Sequence, residues 1–214
     1  MRADLRDQVL ASARAQPSPS RAGHRRSDAL ILALGAIAVV AVFMGWGGVV
    51  LGKRSWVELT VAASGWALLA LVATISCVSR GGSMLGRPTR VLLLIALLTA
   101  PVIYSWASGC TATFASFGEP APWKANVGCF LATLSLAAAP FVTFGFLRRK
   151  SDPVHPRALG AALGASAGAW GGALIDLHCS MTHWLHVGFA HVAPLVVFAA
   201  LGAALGRRAF GVRS

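Results

Sequence analysis

Residues 158–175 read ALGAALGASAGAWGGALI, eighteen positions without one charged side chain. An α-helix needs about 17 to 25 apolar residues to cross the hydrocarbon core of a bilayer, because each residue advances the helix by about 1.5 Å. The stretch has no alternating polar pattern of the kind that barrel strands show, and backbone amides in lipid must be satisfied internally. It therefore predicts a membrane-spanning helix.

Five more stretches of this kind occur in the 214-residue chain, in which 56% of the residues are hydrophobic and 12% are charged. Soluble domains carry about 25% charged residues, so the composition itself favours a membrane protein. The predicted fold class is an all-α, integral membrane bundle of six transmembrane helices, of which the third is the shortest. The predicted spans are 29–51, 59–78, 91–107, 127–147, 158–175 and 184–205.

Basic residues sort to one side once these spans are drawn. Sixteen of the 19 Lys and Arg fall in the amino-terminal segment, the second and fourth loops and the tail, and three fall in the remaining loops. Cytoplasmic loops of membrane proteins carry such an excess, so both termini are predicted to be cytoplasmic in a multi-pass protein of the inner membrane. The predicted organisation is an arm at 1–28, a transmembrane domain at 29–206 and a tail at 207–214.

Charge also excludes several classes of function. The net charge of +12 would suggest nucleic acid in a soluble protein, but here it reports basic loops, and no direct nucleic-acid contact is expected. No charged residue lies deep in a predicted span, which argues against a proton-coupled pump or an ion channel. Glu58 and Asp176 are expected at outer helix ends, where a carboxylate needs no special role.

The fifth predicted span has glycine at every fourth position, a spacing that lets another helix approach closely. Gly202 and Gly206 repeat the spacing in the sixth span. The pattern predicts that spans five and six pack against each other through this stripe, which consists of Gly160, Gly164, Gly168 and Gly172.

Three of the four cysteines are predicted at the outer face, where disulfides are permitted. Spans four and five are joined by a short loop and should be antiparallel neighbours, which places Cys129 and Cys179 at one depth as a candidate pair. Cys110 is expected in the third loop, residues 108–126, and Cys77 near the inner end of the second span. The candidate pair does not form the CxxC motif of thiol oxidoreductases.

A histidine cluster surrounds Cys179. His183 and His186 are one helical turn apart and are candidate ligands, together with Cys179 and His178, for a metal ion, because imidazole and thiolate suit zinc or copper. The alternative is that these histidines cap a helix at the membrane interface. Because both interpretations are open, no cofactor is assigned, and the alternative to a site without a cofactor is one that binds zinc, copper or another heavy metal.

The amino-terminal arm contains a stretch in which Leu5 and Val9 share a helical face. Two interpretations remain open: an arm whose arginines touch anionic lipid, and a short docking helix for a cytoplasmic partner.

Several segments of the chain resemble the NrsF-type family of six-helix membrane anti-sigma factors. They lie mainly in the carboxyl-terminal half: SDPVHPRALGAALGASAG at 151–168, DLHC at 176–179, HVGFAHVAP at 186–194 and LGAALG at 201–206, joined by LRDQVLASARAQPSPSR at 5–21 and SMLGRP at 83–88. The resemblance implies a non-catalytic protein that retains an extracytoplasmic-function sigma factor at the membrane until a stress signal releases it. It also implies that outer cysteines take part in signal perception, and Cys129 and Cys179 stand at those positions. Ser180 follows the second cysteine where the family often has proline.

The leading hypothesis is accordingly a membrane anti-sigma factor that senses redox or metal stress. A membrane thiol-disulfide oxidoreductase using the same two cysteines, and a metal uptake or efflux protein using the Cys and His cluster, are the alternatives. The bilayer and the sigma factor are the expected partners, and the oligomeric state is left open. Residues assigned to sigma-factor contact are Leu5, Val9, Arg148, Arg149 and His155.

Overall fold

The computed structural model describes residues 21–50, 54–78, 88–114, 119–149 and 154–210, with side chains from Arg26 onward. These residues form six long helices and contain no strand. The predicted all-helical class is confirmed. The helices are α1 Arg21–Gly45, α2 Trp56–Val78, α3 Thr89–Phe114, α4 Trp123–Leu147, α5 Pro156–His178 and α6 Trp184–Phe210.

All six helices are long and apolar enough to cross a membrane, with mean hydropathy between 1.4 and 2.4 over their most apolar windows. An arrangement of this kind suggests a multi-pass membrane protein. The predicted arm and tail fall largely outside the described residues, and so do Leu5 and Val9.

The helices α1 and α3 end six and seven residues away from the ends of their predicted spans. α1 stops at Gly45 rather than at residue 51, because Gly47 and Gly48 turn the chain with φ of 103° and 67°. α3 continues to Phe114 instead of stopping at residue 107, so the span predicted to be the shortest has 26 residues. Its polar final turns stay helical because Thr111 and Thr113 donate their hydroxyls to carbonyls four residues back in the same helix.

α5 is the central helix of the bundle. It packs against α2, α3, α4 and α6, and 78% of its apolar window is buried, whereas the α1 window is 0% buried. The small side chains of α5 allow four helices to approach its backbone at once.

The glycine stripe of α5 faces two different helices. A Cβ atom at Gly160 or Gly164 would overlap a backbone carbonyl oxygen of α6, and one at Gly168 would lie 2.5 Å from the Cα of Leu195. A Cβ at Gly172 would instead overlap Trp66 of α2. The prediction that all four glycines face the sixth span is therefore wrong for Gly172. Each four-residue step advances an α-helix by about 400°, so the stripe drifts by about 40° per step and has turned by about 120° at its end.

The amino-terminal part of α6 is a π-helix over Val187–Val192. Pro194 follows it closely and has no N–H to donate to the Ala190 carbonyl. The Thr133 hydroxyl of α4 lies 2.8 Å from the Ala190 oxygen and also 2.8 Å from the Cys129 carbonyl of its own helix, so its one proton serves either acceptor and can replace the missing donor. The chain thus accommodates a proline within a long buried helix.

The two ends of the bundle differ in chemistry. We call the end that holds Cys129 and Cys179 the cysteine end, and the end that holds Arg149 and Arg157 the arginine end. Of the eleven Lys and Arg residues within the described ranges, nine lie at the arginine end, and Arg54 and Lys124 lie at the cysteine end.

Candidate functional site

Two thiols and an imidazole meet at the cysteine end. The Sγ atoms of Cys129 in α4 and Cys179 after α5 are 3.6 Å apart, and the Cys179 sulfur is 3.2 Å from Nε2 of His186 in α6. All three donor atoms lie within 4.8 Å of one another. Cys179 and His186 are 5% and 1% exposed, so three helices enclose a nearly dry cluster.

Local structure places each member. Cys179 is the C-cap of α5, and its N–H donates to the Ile175 carbonyl at 2.7 Å. The chain then crosses in four residues to the start of α6, where His183 is the N-cap and accepts from the Leu185 N–H. Cys129 lies two turns into α4, which brings its side chain to the same depth.

A chain of hydrogen bonds sets the orientation of the His186 ring. The Asn126 side-chain nitrogen donates to the Ala121 carbonyl, so its Oδ1 faces Nδ1 of His186 at 2.7 Å. An amide oxygen only accepts, so Nδ1 carries the proton and the lone pair of Nε2 points toward Cys179. Sequence reasoning missed Asn126, because nothing near it in the chain resembles a motif.

His191 lies beside this cluster and is completely buried. Its ring meets that of His186 edge-on at a centroid distance of 5.2 Å, and it interacts electrostatically with Cys129. No hydrogen bond of standard geometry reaches either of its ring nitrogens among the described residues. A buried imidazole without partners is costly, so this side chain calls for an explanation.

The predicted metal set is only partly brought together. His178 binds the Gly48 carbonyl through Nδ1 at 2.9 Å, and His183 caps α6, so neither belongs to the cluster. The spacing of His183 and His186 had suggested that they share a helical face. The helix begins only after His183, so they do not. His191 lies beside His186 instead, because π-helical geometry brings residues five apart together, whereas an α-helix would separate them by about 140°.

A buried ionic clamp, formed by Arg54, Glu58 and Asp176, adjoins the cluster. The Arg54 guanidinium lies 3.0 Å from Glu58 and 3.2 Å from Asp176, with all three side chains at most 7% exposed. It also donates to the Asp176 carbonyl at 2.8 Å and to the Cys179 carbonyl at 3.4 Å, which satisfies the carboxyl end of α5. The expectation that these carboxylates have no special role is wrong. The i, i+4 spacing of Arg54 and Glu58 could have indicated an ion pair from the sequence.

The charge state of the clamp follows from its geometry. Burial alone would lower the pKa of Arg54, but the carboxylates of Asp176 and Glu58 outweigh burial and raise that pKa above its ordinary value. Arg54 is therefore a permanent cation. In the same region, the hydrogen bond with Cys129 together with burial raises the pKa of the Cys179 thiol.

The other cysteines take no part in the cluster. Cys110 is buried within α3 rather than in a loop, and Cys77 is buried with its sulfur 3.8 Å from the Ser166 hydroxyl. Chemically, the cluster offers two thiols in van der Waals contact and a correctly oriented imidazole. Such a group can form a disulfide or bind a soft metal ion.

The residues assigned to sigma-factor contact are distributed differently. At the arginine end Arg149 is exposed and His155, the N-cap of α5, is half-buried. Arg148 is only 3% exposed, so its side chain does not reach the surface that a partner would touch. Its burial follows from its place directly after α4, in a turn whose N–H bonds back to Phe144.

Fold and site together define a helical membrane protein whose polar chemistry is concentrated in a buried thiol and imidazole cluster. The chain belongs to the NrsF family, whose model, described as negative regulator of sigma F, matches residues 11–211. No curated protein and no solved structure matches the chain. The resemblance seen in the sequence is confirmed. The chain is thus a negative regulator of a sigma factor.

Proposed function

We propose that this protein is a membrane anti-sigma factor that holds an extracytoplasmic-function sigma factor at the cytoplasmic face of the bacterial inner membrane. A redox or metal signal at Cys129 and Cys179 releases the partner. The observation that carries the sensory part is the 3.6 Å contact between the two sulfurs, at the end of the bundle opposite the exposed arginines.

The distribution of charge supports a cytoplasmic arginine end. Nine described basic residues lie there against two at the cysteine end, and one of those two, Arg54, is neutralised inside the ionic clamp. The positive-inside rule then puts both termini in the cytoplasm and the cysteine end toward the periplasm. That compartment is oxidising, so a reversible thiol signal can form there.

The redox step requires a two-electron oxidant, for which a peroxide is the chemical class proposed. One thiolate attacks the peroxide oxygen and becomes a sulfenic acid while a first water, or alcohol, leaves. The second thiolate attacks the sulfenic sulfur, and a second water departs as the S–S bond forms. Two thiols are oxidised and the peroxide bond is reduced. The sulfurs must close from 3.6 Å to about 2.05 Å, which moves the two chain segments toward each other.

Such a movement has a direct route to the arginine end. Cys129 belongs to α4 and Cys179 caps α5, and these two helices are consecutive and packed together. A tilt between them at the cysteine end changes the separation of Arg149 and His155 at the other end, where the helices are connected. The proposal requires two discrete packings of this pair of helices.

Serine replacements test the sensory role. Cys129→Ser and Cys179→Ser should each keep basal repression of a sigma-dependent reporter but abolish its induction by peroxide. Cys110→Ser is the matched control, because that cysteine is equally buried at the same end but outside the cluster, and it should respond as the parent does. Thiol alkylation before and after oxidant measures the state of the pair. Full induction in both single variants would reject these cysteines as the sensor.

Co-purification tests the partner. The protein in detergent should retain a sigma factor, and deletion of residues 2–14 should weaken that association, since this segment carries the proposed docking face with Leu5 and Val9. Undiminished binding by the truncated protein would transfer the contact to the arginine end around Arg149 and His155. Absence of any sigma factor from the purified complex would overturn the anti-sigma proposal.

A further inference from the structure

We infer that Cys129, Cys179, His186 and His191 form a tetrahedral zinc site at the cysteine end. This inference deepens the proposed function. Only the regulatory meaning of the zinc site rests on that function: zinc would tie α4, α5 and α6 together at the sensing end. Two thiolates and two imidazoles are a donor set that selects Zn²⁺ in tetrahedral geometry.

The spacing of the donor atoms fits such a centre. With Zn–S near 2.3 Å and Zn–N near 2.1 Å, a tetrahedron places two sulfurs about 3.8 Å apart and sulfur and nitrogen about 3.6 Å apart. The observed separations are 3.6 Å between the sulfurs and 3.2 Å between the Cys179 sulfur and the His186 Nε2. These two separations lie within about 0.4 Å of the tetrahedral values, and the third, between the Cys129 sulfur and His186, is at most 4.8 Å.

The orientation of His186 matches that of a zinc ligand. Metal-binding histidines almost always donate their second ring N–H to a carbonyl or carboxylate, which fixes the tautomer and the direction of the free lone pair. Asn126 does this through its Oδ1 at 2.7 Å, and the Ala121 carbonyl holds the amide in place. The lone pair of Nε2 is thus directed into the cluster before any metal arrives.

His191 supplies the independent observation. Its ring is fully buried and meets that of His186, and it interacts with the Cys129 thiol, yet no hydrogen bond of standard geometry reaches either of its nitrogens among the described residues. The π-helix places it there at the expense of regular hydrogen bonding, and π-helical turns are frequent at functional sites. Coordination of one nitrogen gives this side chain the partner that it otherwise lacks. Its ring must turn toward the three closely spaced donor atoms to complete the site.

The first measurement uses the unaltered full-length protein in detergent, with its thiols reduced. Zn²⁺ should bind at one equivalent in competition with a chromogenic chelator. Co²⁺ should give the intense visible absorption of a tetrahedral complex together with sulfur-to-cobalt charge transfer. Weak octahedral bands, or no stoichiometric binding, would overturn the inference without any substitution that endangers folding.

Substitutions then identify the ligands. His186→Gln and His191→Gln should each weaken zinc binding by at least about 100-fold, and Asn126→Ala by about 10- to 100-fold. His183→Gln is the matched control, since it lies in the same segment and only caps α6, and its affinity should equal that of the parent. An unchanged affinity and cobalt spectrum in a folded His191→Gln variant would overturn its assignment as the fourth ligand.

Failure of the zinc site and failure of the proposed function give different results. A protein that co-purifies with a sigma factor but binds no zinc disproves the metal site alone. Stoichiometric zinc binding that is lost in His186→Gln and His191→Gln supports the site, whether or not a sigma factor is found.

Discussion

Thr133 joins two helices through one hydroxyl. Its Oγ1 lies 2.8 Å from the Ala190 carbonyl that Pro194 leaves without a helical donor, in a fully buried position. The bond stabilises the π-helix and, through it, the place of His191. A sequence shows the proline, but it does not show which neighbour satisfies the carbonyl.

Thr133→Val should lower the free energy of unfolding by about 1 kcal/mol, because it keeps the shape of the side chain and removes the donor. Thr99→Val is the control, since the Thr99 hydroxyl bonds only to the Ile95 carbonyl of its own helix. Equilibrium unfolding in mixed detergent micelles gives both values. Equal losses in the two variants would contradict a special role for the bond to Ala190.

Arg54 stabilises the carboxyl end of α5 through charge. Arg54→Met leaves two buried carboxylates unpaired and should cost about 3 kcal/mol, most of which should return when Glu58→Gln and Asp176→Asn are added. Arg157→Met, at an exposed position, should change stability by less than about 0.5 kcal/mol. Failure of the triple variant to recover would show that the clamp acts through packing rather than through charge pairing.

The same clamp has a defined pH dependence. Burial works against the charge of Arg54, but Asp176 and Glu58 raise its pKa in the folded protein above the already high value of a free guanidinium, so its contribution is complete below the unfolded pKa and is lost only as the pH rises through the folded one. The stability difference between the parent and Arg54→Met should therefore be the same at pH 7 and at about pH 10. A difference that shrinks over this interval would contradict a permanently charged Arg54.

The contact between α5 and α6 is a backbone contact along its whole length. Gly160 and Gly202 approach each other so closely that a Cβ on either would overlap a carbonyl oxygen of the other. α4 also approaches the α5 backbone closely at one point, where a Cβ on Gly171 would lie 2.8 Å from the Thr133 carbonyl oxygen. A change in the packing of α4 against α5 must therefore be accommodated around this point of contact.

Gly164→Ala should destabilise the protein by about 1 to 3 kcal/mol, because the new Cβ overlaps the Phe198 carbonyl and forces the two helices apart. Gly145→Ala is the matched control within α4, where a Cβ meets nothing within 4 Å. That variant should be neutral or more stable by up to about 1 kcal/mol, through helix propensity. Unfolding in detergent measures both, and an unaffected Gly164→Ala would mean that the two helices separate without cost.

The whole molecule is asymmetric across the membrane, and this asymmetry predicts its topology. A cytoplasm-active reporter should work when fused after Lys150, and a periplasm-active reporter when fused after Glu119, because the basic residues are concentrated at the arginine end. The reciprocal fusions serve as controls. Periplasmic activity after Lys150 would reject the proposed orientation.

Sequence alone went far for the fold and part of the way for the site. Six apolar stretches predict six helices, because uncharged runs of this length can satisfy their backbone hydrogen bonds in lipid only as helices. The pairing of Cys129 with Cys179 was predicted because consecutive helices joined by a short loop must be antiparallel neighbours. Helix ends were less predictable, since the polar but still helical last turns of α3 satisfy themselves internally.

What only the tertiary structure decided depends on groups far apart in the chain. Arg54 bonds to Asp176, Thr133 to Ala190, and Asn126 to His186. The partners in each pair are so far apart in the sequence that no local pattern predicts the contact. The placement of His191 beside His186 has the same origin. The chain is π-helical over Val187–Val192, Thr133 of a neighbouring helix bonds to the Ala190 carbonyl there, and the α-helical period on which the sequence interpretation relied does not apply. Hydrophobic length is a property of each segment by itself, whereas buried polar groups must find partners in three dimensions, so the sequence determined the helices and the packing decided the site.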